Sequence, residues 1–257
     1  MANGECLPGL EYGVESVELQ GQPKSGDLHV VKEISTGTLI GVIDGLGHGV
    51  EAAAAAQLAV ETIEVHAEES IINIARACNE RLRASRGAVM ALASVNSADE
   101  TVTWLSIGNV EGILIRCDPK ASPAFENIFM RPGVVGYRLP PLFASVFSIS
   151  KNDLLVFSTD GINIDYSQRI ASDVRYAEDV LSRLTESQIV NLSRGKPVQR
   201  RATAAYEFAM LQSIDLNIIS KGRDGLSPKS LASYICKNYA KGSDDALVLV
   251  ARYLGKK

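Results

Sequence analysis

Four aspartates stand where apolar runs of strand length meet turns rich in glycine or serine: Asp27, Asp44, Asp160 and Asp244. Carboxylates are hard oxygen ligands, so such a set without histidine or cysteine suits Mg²⁺ or Mn²⁺. Two such ions about 4 Å apart can share a water, lower its pKa and clamp a phosphoryl oxygen. The chemistry indicated is hydrolysis of a phosphate ester by metal-bound hydroxide, without a covalent enzyme intermediate.

The loop after Asp44 leaves three interpretations open. It reads Gly45-Leu46-Gly47-His48-Gly49 and precedes an alanine-rich run that favours a helix. A glycine-rich loop before a helix can cradle a phosphate on its backbone amides. An aspartate at such a place can also cap a tight turn or bind a metal ion. The spacing matches neither the dinucleotide fingerprint nor the P-loop, which weakens the phosphate-cradle interpretation.

Two predicted strands position the first two aspartates. Asp27 begins a strand that runs to Ile34, and Asp44 ends the following strand after the short turn 35–37. Strands joined by a tight turn run antiparallel, so both carboxylates are predicted at the same end of a hairpin. Like charges at one place are costly unless a cation neutralises them.

The rest of the chain predicts an antiparallel α+β protein. Helical spacing over 50–66 and 70–85 indicates an antiparallel helix pair. Strands are predicted at 10–19, 87–96, 101–107, 110–117, 142–149, 153–158 and 246–253, with a less regular region at 118–141. Further helices are predicted at 171–184, 202–214 and 228–239. Many short, turn-linked strands favour this class over a βαβ nucleotide fold. We expect one domain over residues 1–257, with a helical insertion near 165–226.

Composition narrows the class of protein. The chain has 257 residues, of which 46% are hydrophobic and 22% charged, as in globular proteins. A formal net charge of -4 argues against a general nucleic-acid binder. The start of the sequence lacks a signal-peptide pattern and no uncharged run is long enough to span a bilayer, so a cytoplasmic protein without a membrane partner is expected. The scattered cysteines are expected to be reduced thiols: Cys6, Cys78, Cys117 and Cys236.

Taken together, the motifs resemble those of the PPM (type 2C) metal-dependent protein serine/threonine phosphatases. They are G-D, V-I-D-G-L-G-H-G, S-T-D-G-I and G-S-D-D-A-L-V-L-V, and they span residues 26–253. The D-G-x-G-H-G motif and the compact size are most similar to the bacterial SpoIIE/RsbU/RsbX branch, and residues 108–110 and 132–136 to its RsbX-type members. The resemblance implies an α-β-β-α sandwich, two antiparallel sheets flanked by helix pairs, with two Mn²⁺ or Mg²⁺ ions at one end of the sheets.

The resemblance also assigns roles to residues. Asp44 would bridge both ions and the carbonyl of Gly45 would bind one of them. Asp27 would complete one ion site, while Asp160 and Asp244 would complete the other. These four aspartates are therefore the expected catalytic and metal-binding residues.

Two assignments stay open at this stage. Asp245 follows the expected ligand Asp244 and is favoured as an outer residue that supports the site, although it could be the ligand itself. His48, with Gly47 beside it, could contact the substrate phosphate or water, or be a loop histidine bonded to the backbone.

Eukaryotic members carry an arginine near the first acidic motif, and residues 21–27 contain none. Phosphate binding would then depend on the metals, with a remote arginine as a further candidate.

The implied function is dephosphorylation of phosphoserine or phosphothreonine on STAS-domain stressosome proteins of the RsbR/RsbS kind, as negative feedback on a stress response. An RsbU- or SpoIIE-like phosphatase of an anti-sigma-factor antagonist is the nearest alternative, and a catalytically silent binding module is another. The presence of all four aspartates favours an enzyme. A monomer is expected, and the insertion around 193–214 is hypothesised to form a lid or docking face.

Overall fold

The computed structural model describes residues 5–19, 21–22, 24–118, 120–163, 166–172, 174 and 227–256, which form two sheets packed face to face with helices outside them. The first sheet has the order β1-β2-β12-β11-β7-β8 and the second β10-β6-β5-β4-β3, with β9 beside β6. The first contains β1 (Glu5–Leu7), β2 (Leu10–Val17), β7 (Glu111–Ile115), β8 (Phe125–Asn127), β11 (Leu154–Ser158) and β12 (Ala246–Tyr253). The second contains β3 (Asp27–Ile34), β4 (Gly37–Gly45), β5 (Ala88–Asn96), β6 (Thr101–Ile107), β9 (Met130–Arg131) and β10 (Ser145–Ser148).

Helices cover the outer face of each sheet. On the second sheet lie α1 (Val50–Val65) and α2 (Ile71–Arg81), the latter continued by a 3-10 turn at Leu82–Ala84. On the first sheet lie α3 (Pro228–Tyr239) and the helical residues 166–172. Antiparallel pairing joins the strands of both sheets except for the parallel pair β6–β9. The predicted α-β-β-α sandwich is confirmed.

Three apolar cores fix this layering. The central core lies between the sheets and contains Trp104 of β6, whose ring packs on Phe157 of β11 with 4.7 Å between centroids. The other two cores lie between each sheet and its helices. Burial on both faces explains why β12 is buried at every position, and why its sequence is apolar from Ala246 to Ala251 instead of alternating.

Close packing of α1 against the end of β4 depends on small residues. Ala52, Ala55 and Ala56 are fully buried on the sheet side of this helix. A Cβ atom at Gly45 would lie 2.1 Å from the carbonyl oxygen of Ala52, which is too close for any side chain. The glycine after Asp44 therefore lets the helix begin directly beside the strand end.

Most predicted elements lie where their patterns placed them, and the differences are local. Glu5–Leu7 form an extra short strand, β1, and the irregular region 118–141 contains β8 and β9. The strand predicted over 142–149 is limited to Ser145–Ser148. The predicted insertion near 165–226 and its lid role fall mostly outside the described residues and stay predictions. Within the described residues, no helix is both long and apolar enough to cross a membrane.

Candidate metal centre

The β3–β4 hairpin places Asp27 directly opposite Asp44, as its sequence predicts. Asp27 is 5% exposed and Asp44 is partly buried. Burial, together with the charges of Asp245, Asp160 and Asp244, raises the pKa of Asp27 to about 7, although the hydrogen bond from Thr159 lowers it. Burial also raises the pKa of Asp44 to about 8, with Asp27 as the charge that contributes most. Such a pair of desolvated carboxylates favours a neutralising cation or bound protons.

Thr159 connects this hairpin to the other sheet. Its hydroxyl donates a 2.6 Å hydrogen bond to Oδ2 of Asp27 and accepts a 2.8 Å bond from the backbone N–H of Leu247. Thr159 lies at the end of β11 and Leu247 lies in β12, both in the first sheet. One buried hydroxyl therefore orients Asp27 from across the sandwich.

Asp160 follows Thr159 at the same end of the molecule. Its Oδ2 accepts a 2.7 Å hydrogen bond from the side-chain amide of Asn109. The next residue, Gly161, lies against the chain of the final motif, since a Cβ there would be 1.9 Å from the carbonyl oxygen of Asp245. As with Gly45, a glycine after the aspartate permits a close backbone contact.

Asp244 and Asp245 differ sharply in environment. Asp245 is 5% exposed, and its two carboxylate oxygens accept hydrogen bonds from the backbone N–H groups of Leu19, at 2.8 Å, and Gly26, at 2.9 Å. Asp244 is exposed, and one of its oxygens accepts from the backbone N–H of Asp245. These contacts support Asp244 as the ligand candidate and Asp245 as the residue that ties its loop to the segment before Asp27.

The glycine loop lies beside these carboxylates. The backbone N–H of Gly45 donates to the carbonyl of Gly26, the residue before Asp27, at 3.0 Å. Gly47 has φ +87°, a left-handed conformation that favours glycine, and both it and His48 are exposed. The roles of Gly45, Gly47 and His48 in binding metal or phosphate stay predictions.

Arg86 also reaches this loop, which its position in the sequence did not indicate. A Cβ atom on Gly47 would lie 2.8 Å from Nη1 of Arg86, so the guanidinium lies directly over Gly47. The same group forms an ion pair with Glu51 in the first turn of α1. Thr159 and Asn109 were likewise not assigned roles from the sequence, because their contacts join residues 132 and 51 positions apart.

The chemistry of these carboxylates suits a divalent cation. Among the described residues, no three acidic, histidine or cysteine side chains already stand as a cage that could hold an ion. The charges of Asp27, Asp160, Asp244 and Asp245 nevertheless all raise the pKa of Asp44, so the carboxylates lie within electrostatic range of one another. A hard cation removes this repulsion, and Mg²⁺ needs only one or two carboxylates when it keeps its waters. The residues present fit such an ion.

Three comparisons relate the chain to known proteins. Residues 35–194 match the family model described as Stage II sporulation protein E (SpoIIE). Phosphoserine phosphatase RsbX of Bacillus subtilis (strain 168) is 26% identical over 153 residues, which cover 59% of this chain and 74% of RsbX. A crystal structure of RsbX with magnesium is similar at a TM-score of 0.69 and 17% identity, covering 98% of this chain and 99% of that one. A structure from work on the bacterial stressosome as a modular system adapted to control secondary messenger signalling reaches a TM-score of 0.66 at 24% identity, covering 95% and 99%.

Proposed function

Because the chain belongs to the SpoIIE family of PPM-type protein phosphatases, we propose that it hydrolyses phosphoserine and phosphothreonine on a STAS-domain protein of a stressosome. The observation that carries this proposal is the facing pair Asp27 and Asp44, with Asp160 and Asp244 near enough to influence the pKa of both. The similarity to RsbX, a phosphoserine phosphatase, supports the substrate class. A cytoplasmic location and negative feedback on a stress response belong to the same proposal.

The aspartates are proposed to hold two Mn²⁺ or Mg²⁺ ions. Asp44 would serve both ion sites, Asp27 would complete one of them, and Asp160 and Asp244 would complete the other, with the carbonyl of Gly45 as a further ligand. When bound, such ions acidify water and neutralise phosphoryl oxygens. The chain itself orients the carboxylates, through the Thr159 hydroxyl on Asp27 and the Asn109 amide on Asp160.

The first test is hydrolysis of p-nitrophenyl phosphate with Mn²⁺, with Mg²⁺ and with EDTA, comparing wild type with Asp44→Asn. We expect turnover to require the metal. In Asp44→Asn, turnover should fall by more than the roughly 10- to 100-fold loss that follows when only a residue behind a metal ligand is removed. Asp99→Asn is the matched control, because Asp99 is an exposed carboxylate in the turn between β5 and β6 and should leave turnover unchanged.

The substrate is tested separately with purified STAS-domain stressosome proteins carrying phosphoserine or phosphothreonine. Release of phosphate from them, with no release from a phosphorylated anti-sigma-factor antagonist, is the expected result. The opposite preference would favour an RsbU- or SpoIIE-like role. Absence of metal-dependent turnover, together with no Mn²⁺ binding in calorimetry, would contradict the enzyme and favour a binding module.

A further inference from the structure

We propose that Arg86 binds the phosphoryl group of the substrate, in the place of the arginine that residues 21–27 lack. This inference rests on the proposed function, because it names a substrate-binding residue for the same site. It is carried by the position of the guanidinium over Gly47, by the rigidity of its backbone, and by the weakness of its ion pair in the free protein.

The backbone around Arg86 is fixed beside the glycine loop. The carbonyl of the next residue, Gly87, accepts a 3.0 Å hydrogen bond from the N–H of Leu46. Ala88 then begins β5 and pairs with Gly45 in the sheet. Position 86 is therefore held two residues before the strand position that pairs with Gly45, next to the strand end that carries Asp44.

Gly47 leaves the space that the guanidinium uses. A Cβ atom at position 47 would lie 2.8 Å from Nη1 of Arg86, so a side chain there would require the guanidinium to shift. The Arg86 side chain is 49% exposed, so its remaining N–H donors can reach a ligand at the surface of the loop. The absence of a side chain at Gly47 thus leaves room for the guanidinium and also permits the left-handed backbone turn.

The ion pair with Glu51 is one that phosphate can displace. The Glu51 side chain is 69% exposed, and ion pairs at such exposure contribute little to stability. A phosphate dianion offers the planar guanidinium two parallel, charge-assisted hydrogen bonds, which are stronger and geometrically specific. In the free protein, Glu51 therefore holds the guanidinium over the loop, and the substrate phosphate replaces Glu51 when it binds.

Lys241 is another cation at this end of the molecule. Its ammonium donates a 2.5 Å hydrogen bond to the backbone carbonyl of Asp160, so it is already engaged with the chain that presents that carboxylate. An ammonium group is also a point charge without the fork that matches a phosphate. Geometry therefore favours Arg86.

The experiment measures steady-state kinetics with p-nitrophenyl phosphate at saturating Mn²⁺, and inhibition by inorganic phosphate, for wild type, Arg86→Ala and Arg86→Lys. For Arg86→Ala we expect KM and the inhibition constant of phosphate to rise together by about 10- to 100-fold, because charge-assisted hydrogen bonds to the anion are lost. Arg86→Lys should recover part of this loss. Mn²⁺ affinity measured by calorimetry should be unchanged in both variants.

Arg83→Ala is the matched control, since Arg83 pairs with Glu80 in the same way on an exposed surface and lies three residues earlier. It should leave both constants unchanged. Glu51→Gln distinguishes binding of phosphate by Arg86 from a purely structural role of the Arg86–Glu51 ion pair. Removal of the competing carboxylate should lower KM. A rise in KM equal to that of Arg86→Ala would overturn the inference.

The inference is also overturned if Arg86→Ala leaves KM and phosphate inhibition unchanged while wild type turns over, or if Lys241→Ala shows the whole loss instead. In those cases the proposed function stands and only the arginine is wrong. If wild type itself has no metal-dependent turnover, the proposed function fails first. Calorimetry of inorganic phosphate with the Mn²⁺-loaded protein then tests Arg86 independently of turnover, and equal affinity in wild type and Arg86→Ala would overturn the inference.

Discussion

At the scale of single residues, the site is defined by carboxylates that the fold forces together. Register places Asp27 against Asp44, and burial raises the pKa of the two groups to about 7 and about 8. Without a cation, both therefore bind protons more tightly in the folded than in the unfolded protein. The same desolvation that makes them costly as anions makes them suited to a divalent ion.

This pair predicts the pH dependence of the metal-free protein. The folded pKa values of Asp27 and Asp44 exceed the ordinary value of 3.8, so their contribution to stability is complete below about pH 4 and is lost as pH rises through 7 and 8. Thermal unfolding of the EDTA-treated protein between pH 5 and pH 9 should therefore show a melting temperature that falls up to about pH 8 and then levels off.

Asp44→Asn is the informative variant here, because it removes one carboxylate without removing its volume. It should raise the melting temperature of the metal-free protein at about pH 8 and flatten its dependence on pH. Asp99→Asn should leave the wild-type profile unchanged. A wild-type melting temperature that rises over the same interval would contradict the assignment of raised pKa values.

At the scale of elements, the sequence predicted the parts of the fold whose patterns are periodic and missed those that are short. The β3–β4 hairpin, α1 and α3 lie close to their predicted bounds, since each has a long apolar face and clear turns around it. β8 and β9 have three and two residues, in a proline-rich stretch, and owe their pairing to neighbouring strands. Nothing local in the sequence could have shown them.

The site divides in the same way. The aspartates could be proposed from the sequence because each stands where an apolar strand meets a turn rich in glycine or serine. The sequence could not indicate roles for Thr159, Asn109 and Arg86. Their contacts with the candidate site form only when strands from distant parts of the chain come together. A serine or threonine before an aspartate, or an arginine before a strand, is common on any protein surface.

Gly45→Ala tests how the start of α1 is positioned. The new Cβ would meet the carbonyl oxygen of Ala52 at 2.1 Å, so the helix must move away from the strand end. We expect the free energy of unfolding to fall by about 1 to 3 kcal/mol, as for other overpacked sites. Urea unfolding followed by far-UV circular dichroism is the measurement.

Gly242→Ala serves as the control for that substitution. Gly242 also has a neighbouring aspartate loop, but nothing lies within 4 Å of its Cβ position and only its φ of +70° opposes a side chain. Gly242→Ala should lower the free energy of unfolding by no more than about 1 to 2 kcal/mol, because only the strain of a left-handed backbone opposes the new side chain. An equal or smaller loss for Gly45→Ala than for Gly242→Ala would show that α1 is not held by this contact.

At the scale of the whole molecule, the candidate centre is shared by the two sheets. Asp27 and Asp44 come from the second sheet, while Asp160 and Asp244 lie at the ends of β11 and β12 in the first. The Thr159–Asp27 hydrogen bond already crosses between them. Two ions bound among these four aspartates would therefore join the sheets at one end of the sandwich.

We accordingly predict that Mn²⁺ raises the melting temperature of the protein. A ligand that binds only the folded state at 100 times its dissociation constant adds about 2.7 kcal/mol to the free energy of unfolding. Differential scanning fluorimetry at several Mn²⁺ concentrations should show a shift that grows with concentration, and EDTA should abolish it.

Asp244→Asn and Asp245→Asn distinguish a ligand from a support in the same experiment. Asp244→Asn should leave the metal-free melting temperature unchanged and reduce the Mn²⁺ shift. Asp245→Asn should lower the metal-free value, because the charged acceptor of two backbone N–H groups becomes neutral. The reverse outcome would make Asp245 the ligand.

The position of Trp104 gives these measurements a built-in reporter. It is the only tryptophan in the sequence, and its ring is buried on Phe157 between the two sheets. Tryptophan fluorescence therefore arises from one place, so a red shift of this fluorescence during denaturation records water entering the middle of the sandwich. Loss of helical ellipticity before that shift would mean that the outer helices detach while the two sheets are still in contact.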